Sequence, residues 1–142
     1  MAESLDINWL GGSETEEIYR ENVLDHFKHP HNFGILESYS FRHTEFNPLC
    51  GDNFEIFVVI VDGKVYDVKF RGKGCAISTA ATSMLTDKIK GMSVEELGSL
   101  KNEDMLEMIG IQLGVVRMKC GLLCLKALSK GLGEWNGIKN GA

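Results

Sequence analysis

Cysteine is scarce in this chain, with four in 142 residues. Small disulfide scaffolds are cysteine-dense and secreted, so this count argues against a stapled fold and leaves the thiols for thiolate chemistry. Basic residues are outnumbered, 15 Lys and Arg against 20 Asp and Glu, for a formal charge of −5. No Lys/Arg stripe offsets that balance, which argues against nucleic acid as a partner. Long apolar runs are missing too. None approaches membrane-spanning length. Met1-Ala2-Glu3-Ser4-Leu5-Asp6 is acidic without an apolar run, unlike a signal or transit peptide. These absences lead us to expect a cytoplasmic protein in a reducing setting, with no membrane contact. Histidine stops early: His26, His29, His31 and His43 all precede the first cysteine, and none stands at a metal-ligand spacing to one. They read as solvent or turn residues. Repeats, linkers and low-complexity segments are absent as well.

What is present is ordinary for a globular domain, 44% hydrophobic and 25% charged, and long enough for one real core. Residues 1–12 read as a flexible arm ending in Gly11-Gly12. Ser13 with Glu16 makes a capping-box pattern that opens a helix to about Lys28. Ile18, Tyr19, Val23 and Phe27 recur at helical steps and predict one buried stripe. His29-Pro30-His31-Asn32-Phe33-Gly34 ends that helix, and an ill-defined strand follows around Leu36 to Thr44. Phe54 to Val61, Asp62-Gly63, then Lys64 to Phe70 reads as an antiparallel hairpin. Its first run is apolar on both faces, which predicts a central strand with something packed on each side. A small-residue helix is expected from Cys75 to Lys90, a short one capped by Ser93 and Glu96, and another over 102–109. After a break at Gly110 to Val116, a last helix is expected from about Arg117 to Leu132, with 133–142 a frayed, flexible tail. One α+β domain over 13–132 is the result.

The thiols carry the functional signal. Cys50 sits in Asn47-Pro48-Leu49-Cys50-Gly51-Asp52, Cys75 follows Gly72-Lys73-Gly74, and Cys120 follows Arg117-Met118-Lys119. The three are 25 and then 45 positions apart, so only the fold can gather them. Gly51 lets the backbone bend so that Asp52 can point back at the centre that Cys50 faces. Three soft sulfurs and one hard carboxylate suit zinc or an iron–sulfur cluster. Cys75 and Cys120 both fall at predicted helix starts, where free N–H groups favour thiolate. The plainer reading of Gly72 and Gly74 is that they merely make a turn. Arg117 and Lys119 would stabilise the Cys120 anion and suit a cysteine that carries transferred sulfur. Cys124, one turn on among Leu123, Leu125 and Leu128, reads as a core thiol.

Asn-Pro-x-Cys-Gly-Asp, then Gly-x-Gly-Cys-x-Ile-Ser-x-Ala, then Arg-x-Lys-Cys resembles the U-type iron–sulfur scaffold proteins: IscU, SufU and the N-terminal part of NifU. The likeness runs from about Tyr19 to Leu132. It implies a three-stranded antiparallel sheet with helices packed on it, and Cys50, Asp52, Cys75 and Cys120 gathered at one exposed end. It further implies a scaffold that takes sulfur from a cysteine desulfurase, on Cys120 or Cys50. Iron would join to make a labile [2Fe–2S] cluster that passes to apo iron–sulfur acceptor proteins. Two departures matter. Lys119 stands where cluster-building scaffolds carry histidine, as in SufU, yet the insert typical of SufU between the second and third cysteines is absent. Leu113-Gly114-Val115-Val116-Arg117 lacks both prolines of the Leu-Pro-Pro-Val-Lys segment read by a dedicated Hsp70-type chaperone, which argues against that partner. The alternative is a zinc-dependent sulfurtransferase holding Zn²⁺ on the same four residues; a structural zinc domain is the remote one. We expect a monomer or a weak homo-oligomer.

Overall fold

The computed structural model describes residues 14–48 and 51–141. The expected arm, its Ser13 cap and Cys50 lie outside the described residues. The chain order is helix α1 (Glu14–Lys28), strands β1 (Phe41–Asn47), β2 (Asp52–Val61) and β3 (Lys64–Lys73), then helices α2 (Ala76–Ile89), α3 (Val94–Gly98), α4 (Asn102–Ile109) and α5 (Val115–Gly141). The strands form one antiparallel sheet in the order β1-β2-β3. Asp62 and Gly63 both take positive φ (53° and 75°), the geometry of the tight hairpin turn that Asp-Gly predicts. Ser93 and Glu96 form the expected capping box of α3. Among the described residues, no helix is long and apolar enough to cross a membrane.

Period-2 alternation sends Phe41, Ile56, Val58 and Val68 to one face of the sheet, where they join Ala81 and Leu85 of α2 and Leu128 of α5 in the main core. Each such large side chain contributes about 1.5–3 kcal/mol by leaving water. The other face of β2 is also packed, as expected for a central strand, but by side chains. Phe57 is covered by Tyr39 (ring centroids 5.6 Å apart) and by the Arg71 guanidinium 5.9 Å from its ring. Glu55 is gripped by Arg42 and by Arg71 at 2.8 Å. Burial pushes that carboxyl up, but the two guanidiniums win and hold it below the usual carboxylate range. Side chains, not a second layer, close this face.

Four local readings are corrected. The stripe on α1 is narrower than its spacing suggests: Val23 is buried, but Ile18 is 65% and Phe27 40% exposed. The helix packs mainly on α2, not over the sheet, so one line of side chains suffices to seal it. His26, read as a solvent or turn residue, is buried on that line. Burial and neighbouring His31 hold its pKa below the usual imidazole value, against the pull of Asp87 and Asp25. Strand β1 begins at Phe41, not near Leu36. Helix α5 runs on to Gly141 instead of ending at Leu132. Trp135 packs against Phe41 at 6.0 Å, and Gly131 lets the helix approach Phe41 and His43 so closely that a Cβ would lie 2.8 Å from the Phe41 ring. That docking on β1 carries the helix through its glycines.

Candidate metal centre

The antiparallel register sets Asp52, the first residue of β2, across from Asn47 at the end of β1, and Gly51 turns between them at φ +75°. Asp52 is buried. Its Oδ1 accepts the Cys75 N–H at 3.1 Å, and its Oδ2, also buried, has no hydrogen-bond partner among the described residues. A buried carboxylate oxygen left this way costs free energy until a cation or proton reaches it.

Gly72 and Gly74 do more than make a turn. A Cβ on Gly72 would lie 2.1 Å from the Asn53 carbonyl oxygen, and one on Gly74 2.4 Å from Ser78 Oγ and 2.7 Å from the Phe54 ring. Bare backbone there lets β3 close on β2 and delivers Cys75 beside Asp52. Cys75 is the N-cap of α2, and its Sγ accepts the Ser78 N–H at 3.5 Å, with Ser78 Oγ at the same distance. Partial burial pushes the Cys75 pKa up, and the nearby Asp52 charge adds to that. Hydrogen bonds from Ser78 and from Cys120 outweigh both and leave the thiol below its ordinary value. Ser78 is a site residue that the sequence reading gave no role. Its signal was available: a hydroxyl three residues after an N-cap thiol, next to a free helical N–H.

Cys120 lies inside α5, past its first turn, not at its start, and is 1% exposed. One ligand atom each from Asp52, Cys75 and Cys120 lies within 4.8 Å of the other two. Cys124 is fully buried in the core with its Sγ turned to the Gly121 carbonyl, 3.8 Å away, and burial pushes its pKa up to about 12. Lys119 and Arg117 are exposed. Lys119 lines an open groove of about 910 Å³ together with Phe46, Asn47, Pro48, Leu123 and Lys126, between the end of β1 and α5.

Residues 18–142 match the family model described as NifU-like N terminal domain. The chain belongs to that family. Among curated relatives of this NifU-like chain, the iron–sulfur cluster assembly scaffold protein IscU 1 of Archaeoglobus fulgidus is 33% identical over 118 residues, covering 83% of this chain and 76% of the relative. The zinc-dependent sulfurtransferase SufU of Bacillus subtilis is 33% identical over 139 residues, covering 86% and 94%. A solved structure of a nitrogen-fixing NifU-like protein (N-terminal) from Brucella abortus superposes with a TM-score of 0.71 at 22% identity, covering 92% of this chain and all of that one, which shows the shared fold.

Proposed function

We propose that this NifU-like protein is a scaffold for iron–sulfur cluster assembly, working in a reducing cytoplasm. A cysteine desulfurase delivers sulfur as a persulfide. The acceptor thiolate, Cys120 or Cys50, attacks the outer sulfur, the S–S bond breaks, and the desulfurase keeps its own thiolate. Iron is held among Cys50, Asp52, Cys75 and Cys120. Two sulfane sulfurs need four electrons to become the two bridging sulfides. Two ferrous ions supply two of these on becoming ferric, and an external electron-carrier protein supplies the rest. The [2Fe–2S] cluster then passes to an apo acceptor protein.

The observation that carries this reading is the buried Asp52 carboxylate: its Oδ2 lacks a hydrogen-bond partner among the described residues, and one of its oxygens lies within 4.8 Å of the Cys75 and Cys120 sulfurs. It fits a cation. A hard oxygen among soft sulfurs is also the donor that lets a product go. Four anionic ligands around a dipositive core leave net negative charge, which exposed Lys119 partly offsets. Cys120 is buried, so sulfur uptake there requires its surroundings to loosen, with exposed Lys119 beside it.

The same donor set is compatible with a second reading, a zinc-dependent sulfurtransferase, the activity named for the SufU relative. Donors within 4.8 Å of one another can close around a tetrahedral Zn²⁺, whose Zn–S bonds of about 2.3 Å put sulfurs roughly 3.8 Å apart. One thiolate would then leave the zinc to take persulfide. Anaerobic purification followed by metal and sulfide analysis separates the two. Iron and acid-labile sulfide in equal amounts support the scaffold; stoichiometric zinc without sulfide supports the relay.

A further inference from the structure

A second donor cluster gathers at the far end of α2. His26 comes from α1, His31 from the loop after it, and Asp87 from the last turn of α2; one ligand atom from each lies within 4.8 Å of the other two. Asp87 follows Cys75 by 12 residues, so a rise of 1.5 Å per residue separates the clusters by roughly 18 Å along the helix. We propose that His26, His31 and Asp87 form a second metal site, for a divalent transition-metal ion such as Zn²⁺, Co²⁺ or Ni²⁺, held without thiolate.

The donors are imidazole nitrogen and carboxylate oxygen, the pair that suits these ions. Their orientation is set by a shell of further hydrogen bonds, as at built metal sites. His26 Nδ1 sits 2.7 Å from Ser83 Oγ, and the same Oγ accepts the His31 N–H at 2.8 Å. One hydroxyl thus fixes both histidine segments. The two rings lie 4.4 Å apart, tilted at 47°. Asn32 Nδ2 donates to Asp87 Oδ1 at 2.9 Å while Asn32 Oδ1 accepts from Lys90 at 2.6 Å. That leaves Asp87 Oδ2 facing His31 Nδ1 at 2.5 Å. His26 is the buried floor, whereas the His31 and Asp87 side chains are 45% and 44% exposed, so an ion can enter from solvent. Three protein donors leave coordination positions for water. The cluster ties α1 and its loop to α2, so bound metal should also raise thermal stability through linkage.

Anaerobic Co²⁺ titration of the full chain separates this site from the thiols, because only thiolate ligation adds near-ultraviolet charge-transfer absorption. Wild type is expected to take two equivalents. The second should add only weak visible bands, and His31→Phe and Asp87→Asn should each weaken it at least tenfold while keeping the first. A single equivalent in wild type, or a second one that survives both substitutions, overturns the proposal. Ring-nitrogen NMR of wild type needs no variant: Zn²⁺ beyond one equivalent should shift His26 and His31 and leave His29 and His43 unmoved. Unmoved His26 and His31 would overturn it as well.

Discussion

At its N-terminus α2 presents Cys75 to Cys120 and Asp52; roughly three turns on, Asp87 faces two imidazoles. The two clusters differ in how their donors are satisfied without metal. At the thiol end a buried carboxylate oxygen lacks a hydrogen-bond partner among the described residues, and the half-buried thiol is already biased toward thiolate. At the histidine end the donors are hydrogen-bonded to Ser83, Asn32 and one another, so an ion must displace a bond already made. A cation therefore relieves a cost at one end and replaces an existing interaction at the other. Between them Ala80, Ala81, Met84 and Leu85 are buried in the core, which keeps the two chemistries apart. The thiol end should fill first and release cluster; the histidine end should bind more weakly and stay out of sulfur traffic.

The largest effect should come from the thiols. Cys75→Ser or Cys120→Ser should abolish retention of a reconstituted cluster, since a hydroxyl is a poor, protonated ligand at neutral pH. Visible absorption and iron content after desalting would report it. Cys124→Ser should keep the cluster, and equal damage there would mean that the donor set is misassigned.

Thiol reactivity draws a finer line. In metal-free protein at neutral pH, Cys75 should be alkylated well before Cys124. With one pKa below the ordinary 9.0 and the other at about 12, their thiolate populations differ by roughly a thousandfold or more. Timed labelling with peptide mass mapping gives the order, and comparable rates would contradict the burial contrast. Smallest is the stability change in Cys124→Ser, which places a hydroxyl in an apolar core and should cost about 1–3 kcal/mol by denaturant unfolding.

Much of this was legible in the chain. The Asp62-Gly63 hairpin and the Ser93–Glu96 cap are local devices, so adjacent residues reveal them. Asp52, Cys75 and Cys120, which the fold brings together, stood out by chemistry and motif, although periodicity alone could not unite positions so far apart; Cys50 lies outside the described residues. What stayed hidden depends on packing partners. Ile18 and Phe27 share a helical stripe with Val23, but only one line of that stripe meets α2. The glycines after Leu132 suggested fraying until Trp135 found Phe41. His26 and His31 show no spacing to a cysteine because their partner is Asp87, 61 and 56 positions away. Ser83, which holds both histidines, looks in sequence like any small helix residue.

The central claim is that Asp52 is the donor built for release, and cluster transfer tests it most directly. Wild type and Asp52→Ala, each loaded with cluster anaerobically, would be mixed with an apo-ferredoxin while cluster arrival is followed by circular dichroism. If the carboxylate is the route of exchange, Asp52→Ala should hold its cluster longer and deliver it more slowly. Faster loss than wild type would contradict this. It would mean that Asp52 stabilises the centre as any structural ligand does, and it would move weight to the zinc reading.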